Sequence, residues 1–336
     1  MSKISSFSSI LKGINRPSND KLNILLCNVD EKFQVNLSKT GHNFHFAVLP
    51  NNKSWDVKKA EIPNNCFLSE NNDFLKEIAI DLIICNDRVN HYEALANMAI
   101  QLGTPIIGVD NYLPTPNLNQ FQVQALADRI YNKNIVCSKF VANAWGLDEQ
   151  DVIVVPKAVD TDLFNGWEGG GDGKILTNVD WYHNRKDITG FAIWEKLKQQ
   201  FKMNPVGHSP GLSEHTKDTN ELLSKYKKAS VFLNTSSWLS CPQELLEAMS
   251  VGCPIITTKT TDIDFIEHGV NGFCTNDFEE IVKSIKLLLV DKNLARTIGE
   301  AGRNTIIEKY SHQKFIESWN NIFYSTVDTV CCLLKS

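Results

Sequence analysis

Residues 236–258 read SSWLSCPQELLEAMSVGCPIITT, a polar loop, a helix, an abrupt stop and a buried strand in immediate succession. Ser240 with Gln243 three residues on fits a capping box, and Pro242 suits a first helical turn, where a missing N–H costs nothing. Leu245, Leu246, Ala248 and Met249 supply an apolar stripe, and Gly252 followed by Pro254 stops the helix. Ile255 and Ile256 have no polar alternation, which predicts a parallel strand covered on both faces. A second apolar strand precedes the loop at residues 231–234. Strand, helix and strand in that order impose an α/β sheet. They also aim the helix start, with its unpaired N–H groups and positive dipole end, at the sheet's carboxyl edge, where a phosphate or diphosphate binds. Pro242, Gln243, Glu244 and Leu245 surround that mouth, and Glu247 lies one turn in, placed to accept hydrogen bonds from ribose hydroxyls. The bland alternative makes Glu244 and Glu247 solvated helix residues.

The same alternation runs through most of the chain. Strands are expected at 22–27, 45–49, 81–85, 104–109, 134–137, 152–155 and 174–179, with helices at 33–39, 74–80, 92–102, 118–131, 188–201, 219–229, 277–291 and 293–309. A final helix should run from a cap at Ser311 to Tyr324. With 336 residues, of which 42% are hydrophobic, two domains are expected. Residues 1–20 form an N-terminal arm, read either as a frayed or packed segment or as an interfacial helix. The run Gly169-Gly170-Gly171-Asp172-Gly173 is expected to be a flexible surface segment rather than a phosphate cradle.

The net charge of −5 supplies no general attraction to nucleic acid. No apolar run approaches membrane-spanning length, and no secretory signal is recognisable. The nine cysteines lack C-x-x-C spacing and sit largely in apolar strands, as free thiols in a reducing cytoplasm would. The histidines show no clustering suited to a metal, so none is expected. Two polar stretches fall where strands end. Asp87, Arg88 and His91 follow the strand at 81–85, and Asp110 follows that at 104–109, positions where α/β proteins place ligands.

The run EAMSVGCPII at 247–256 resembles the donor-binding helix of family-4-type (group 1) retaining glycosyltransferases. Two further segments continue the resemblance in family order: IEHGVNGF at 266–273, and VVPKAVDTDLF at 154–164, which is similar to the interdomain segment. The resemblance implies a GT-B fold, two Rossmann-like domains facing each other across a cleft. The first would span 21–157 with the C-terminal helix, 313–336, crossing back to it; the second would span 158–312. It further implies transfer of sugar from a nucleotide-diphosphate sugar, UDP- or GDP-linked, to a hydroxyl of a glycan or glycolipid with retained configuration. Neither cofactor nor metal is needed, and peripheral attachment to a membrane surface is compatible with this reading.

By the same resemblance, Arg185 and Lys186 would grip the diphosphate as catalytic groups, unless they are merely an exposed basic pair. Gly207 and His208 would lie near the nucleotide base, and Trp238 either flanks that base or packs internally. Asp87, Arg88 and His91 would contact the acceptor. Asp110, a candidate catalytic residue, stands near where many members have a histidine that touches the sugar or acceptor. The chain departs from the Glu-x7-Glu signature, since Glu247 is its second member and Leu239 occupies the first position. Two alternatives stay open: a phage-type enzyme glycosylating hydroxymethylated DNA bases, and a nucleotide-sugar-binding pseudoenzyme or scaffold.

Overall fold

Short apolar strands without polar alternation need cover on both faces, and the chain meets that need in two separate units. The computed structural model describes residues 20–50, 52–240, 242–259 and 262–333; the N-terminal arm thus lies outside the described residues except for Asp20. The first unit ends at Pro156 and resumes at Phe315, and the second is Lys157–Lys314.

The first unit holds β1 (Asn23–Leu26), β2 (Asn43–Phe46), β3 (Cys66–Leu68), β4 (Leu82–Cys85), β5 (Ile106–Asp110), β6 (Lys133–Val136) and β7 (Val152–Val154). Their order is β3-β2-β1-β4-β5-β6-β7, parallel throughout. Strand order reverses between β1 and β4, and that switch point brings the segments after residues 26 and 85 to one edge. Asp30 caps the helix Glu31–Ser38 by accepting from the Phe33 N–H. The last helix, His312–Leu333, outruns its expected end at Tyr324. Its Phe315 and Trp319 meet the Phe33 ring at 6.2 and 5.9 Å, and its Asn320 Oδ1 is 3.0 Å from His42 Nε2.

The second unit holds β8 (Ile175–Asn178), β9 (Met203–Val206), β10 (Val231–Asn234), β11 (Ile255–Thr257) and β12 (Phe273–Cys274). The order is β12-β11-β10-β8-β9, again parallel, so this switch point falls between β10 and β8. Leu245, Leu246, Ala248 and Met249 join Leu176, Phe232 and Ile255 in one buried cluster, which fixes the face the helix Gln243–Val251 turns inward.

Several expected elements differ. The helix foreseen at 74–80 is a single 3₁₀ turn, Asp73–Lys76, and that at 118–131 shortens to Gln120–Ala127 behind an Asn119 capping box. The one at 188–201 breaks at Gly190 into Lys186–Thr189 and Phe191–Leu197. The glycine run is not a loose surface segment throughout. Gly170 is buried, and its carbonyl accepts from Ser230 Oγ at 2.6 Å and Lys292 Nζ at 3.3 Å. Cys27, Cys66, Cys85, Cys137 and Cys253 are buried free thiols, and burial pushes that of Cys66 up to about 12.

Candidate functional site

At the second unit's switch point, two loops meet and are stitched together. The loop after β8 runs through Asp180, Trp181 and Tyr182 to Arg185 and Lys186; the loop after β10 leads from Thr235 to the helix Gln243–Val251. Thr189 Oγ1 donates to the Tyr182 carbonyl at 2.6 Å, the Tyr182 hydroxyl lies 2.5 Å from Thr235 Oγ1, and Thr235 Oγ1 donates to the Thr189 carbonyl at 2.8 Å. The Ser237 N–H and hydroxyl add bonds to the carbonyls of Ile188 and Asp187, at 2.8 and 3.0 Å. Gly190 allows this approach. Its φ is 67°, and a Cβ there would lie 1.8 Å from the Thr235 carbonyl oxygen, so any other residue would force the loops apart. Arg185 and Lys186 are exposed, and among the described residues neither forms an ion pair.

The helix mouth differs in detail from the sequence reading. Pro242 is the N-cap, extended at φ −70° and ψ 132°, and provides no side-chain cap; the helix begins at Gln243. The expected reciprocal bond from Gln243 back to Ser240 is replaced by Gln243 Nε2 donating to the Ala158 carbonyl at 2.9 Å. The Leu245 side chain is fully buried in the core, and its N–H bonds to the Pro242 carbonyl. Glu244 and Leu239 are half-buried.

Glu247 is 2% exposed. Its Oε2 accepts from the Tyr226 hydroxyl at 3.1 Å, and that hydroxyl in turn accepts from Asn178 Nδ2, also at 3.1 Å. Burial, then the nearby Glu247 carboxylate, raises the Tyr226 phenol and keeps it a neutral donor. Asn178 ends β8, so this chain of bonds ties Glu247 to the switch point. Tyr226, Thr235 and Asn178 were not foreseen, because their roles depend on how three separate elements pack.

Trp181 was missed as well. It is the one described residue other than glycine with a left-handed φ, 55°, a conformation that costs an L-residue roughly 1–2 kcal/mol. Bonds on every side hold it there: its N–H donates to the His208 carbonyl at 2.7 Å, its carbonyl accepts from the Arg185 N–H at 3.0 Å, and the next N–H, of Tyr182, donates to Ser209 Oγ at 2.9 Å. The indole is 44% exposed and stands perpendicular to the His208 ring with centroids 5.0 Å apart. His208 is fixed by Nδ1 to Glu214 Oε2 at 3.1 Å and by its N–H to Asp180 Oδ1 at 2.8 Å. Gly207, at φ 94°, lies so close to Val179 that a Cβ would come within 2.8 Å of its backbone.

The first unit's switch point is built differently. Arg88, 2% exposed, grips Asp110 through Nε at 3.0 and 3.1 Å and Nη2 at 2.6 Å, and its Nη1 donates to the Leu126 carbonyl at 2.7 Å. Tyr131 and Trp145 flank the guanidinium at 5.4 and 5.5 Å. Burial alone would lower Arg88, but Asp110 more than offsets it and keeps it charged; burial likewise pushes Asp110 upward against the pull of Arg88. Arg88 and Asp110, expected to meet the acceptor and the reacting centre, are instead an internal ion pair joining β5 to the end of the helix Gln120–Ala127. Asp87 accepts from the N–H groups of Val89 and Asn90, both at 3.0 Å, and so caps the turn. His91 is buried with Nδ1 4.0 Å from Asp87 Oδ2, and burial lowers it below the usual histidine range.

Residues 188–291 match the family model described as glycosyl transferases group 1. An uncharacterised glycosyltransferase of Haemophilus influenzae is 31% identical over 147 residues, 43% of this chain and 40% of that protein. The capsular polysaccharide biosynthesis glycosyltransferase CapM of Staphylococcus aureus is 32% identical over 113 residues, 32% of this chain and 30% of that one. The chain thus matches less than half the length of these relatives. Among solved structures, Anabaena HepE in complex with UDP superposes with a TM-score of 0.71 at 15% identity, covering 91% of this chain and 100% of that one. Sucrose-phosphate synthase of Thermosynechococcus elongatus gives 0.71 at 14% identity, covering 91% and 99%. The chain therefore has the GT-B fold, and residues 188–291 of its second unit match the group 1 glycosyltransferase model.

Proposed function

We propose that this protein is a glycosyltransferase that moves a sugar from a nucleotide-diphosphate sugar to an acceptor hydroxyl in the synthesis of a glycan or glycolipid, with retention at the anomeric carbon. The observation that carries this reading is the second unit's switch point. There a helix mouth without a side-chain cap, an exposed Arg185–Lys186 pair and the buried Glu247 share one sheet edge, with the mouth and Glu247 inside the matched residues 188–291. Solved neighbours whose structures hold UDP or UDP-glucose support the donor class.

The diphosphate would rest on the helix N–H groups and face Arg185 and Lys186, whose charge-assisted hydrogen bonds stabilise the charge developing on the leaving group. Glu247, anchored by the Tyr226 hydroxyl, would accept hydrogen bonds from the ribose hydroxyls. As the bond from the anomeric carbon to the phosphate oxygen breaks, the acceptor oxygen attaches on the same face, and its proton passes to the departing phosphate. The second reading, a binding protein without turnover, is favoured by Leu239 in place of a first glutamate. A panel of UDP-, GDP- and ADP-sugars separates the two. Transfer or slow hydrolysis of one donor is expected; tight binding with neither would leave the scaffold reading, and no binding would remove both. Labelled sugar appearing in hydroxymethylated DNA would redirect the acceptor class.

A further inference from the structure

We propose that Trp181 is the stacking platform for the heterocyclic base of the nucleotide, and so a specificity-determining residue; this rests on the donor reading above. A bulky aromatic in the left-handed region is unfavourable, and the backbone around Trp181 is bonded on every side so that it stays there. That geometry keeps the indole 44% exposed at the end of β8, the strand flanking the switch point.

Along the sheet edge the order is the helix mouth after β10, Trp181 after β8, then His208 after β9. A nucleotide with its phosphates at the mouth and its base toward β9 passes over Trp181. The perpendicular Trp181 and His208 rings, 85° apart, form a corner that offers one flat face and one wall. A planar heterocycle fits such a corner by stacking on the indole with its rim toward the imidazole. His208 is already fixed by Glu214 and its ring stacks on His215 at 5.9 Å, so the wall is set before a ligand arrives.

The test measures UDP, GDP and ADP affinities by calorimetry, with inorganic pyrophosphate and glucose 1-phosphate as controls, in wild type, Trp181→Gly and Trp181→Phe. Trp181→Gly is expected to keep or raise the melting temperature, because glycine accepts the positive φ. It should weaken the preferred nucleotide about tenfold or more, a typical loss for one base–aromatic stack, while pyrophosphate binding holds. Trp181→Phe should retain most of the affinity, which shows that the site still folds around an aromatic. Unchanged nucleotide affinity in Trp181→Gly would overturn the platform and leave the donor reading standing. An equal loss for glucose 1-phosphate would assign the indole to the sugar and also overturn it. Failure of wild type to bind any of the three nucleotides would remove the platform together with the donor reading.

Discussion

The two units place a switch point at the carboxyl edge of a parallel sheet, yet they use it in opposite ways. In the first unit the charged groups turn inward: Arg88 and Asp110 bind each other, and the Leu126 carbonyl takes a further Arg88 nitrogen. In the second unit Arg185 and Lys186 are exposed, Trp181 is held outward against its backbone preference, and the helix has as its N-cap a proline, which provides no side-chain cap. Topology therefore marks where a ligand can bind. Whether the polar groups there have already found protein partners decides what they do.

The largest expected effect tests the inward pair. Arg88→Ala would leave Asp110 buried and unpaired, a loss of about 3–5 kcal/mol in urea unfolding. Replacing both partners together, as Arg88→Met with Asp110→Leu, should recover most of it. A loss for Arg88→Ala below about 1 kcal/mol would mean that water reaches the pair, and the contrast between the units would collapse. On the outward side, Arg185→Ala with Lys186→Ala is expected to lower turnover about 100-fold or more, the scale of one lost electrostatic donor. Stability should change by less than about 0.5 kcal/mol, as for other surface substitutions; unaltered kinetics would remove the diphosphate clamp.

Glu247→Gln keeps the Tyr226 contact. It should weaken UDP about tenfold while affecting 2′-deoxy-UDP less, since a hydrogen bond to a charged group contributes about 1.5–3 kcal/mol. Equal losses for both nucleotides would deny the ribose contact. Glu247→Ala should in addition destabilise the fold by about 1–3 kcal/mol, because the buried Tyr226 hydroxyl loses its acceptor. The smallest effect is in pH dependence. His45 and His91 are lowered by burial from the usual value of 6.5, so the unfolded chain takes up protons first as pH falls. Stability should be complete above that value and decline below it. Denaturation midpoints of His91→Gln should decline less over the same range.

How much of this was legible in the sequence follows the distance over which each feature is encoded. The strand–helix–strand core of the second unit was readable because its signals are consecutive: apolar runs, a glycine stop and a proline within about two turns. The Arg88–Asp110 pair was not, because 22 residues separate them and only the registry of β4 against β5 brings them together. The inward face of the second unit's helix Gln243–Val251 was legible too, since the spacing of Leu245 from Met249 puts both on the side that packs into the core. The break at Gly190 was hidden because the reason for it, the Thr235 carbonyl, lies 45 positions downstream. Trp181 had no local signature at all, since nothing in the preference of tryptophan anticipates a positive φ.

The contact between Gly190 and Thr235 has a consequence for anyone who would exchange donor preference by grafting. With no room for even a methyl group between them, the cationic segment after β8 and the approach to the helix behave as one rigid part. A transplanted 179–190 segment would arrive without its matching seat unless 234–238 came with it. Changes in this region should therefore be inherited, or engineered, as a linked set.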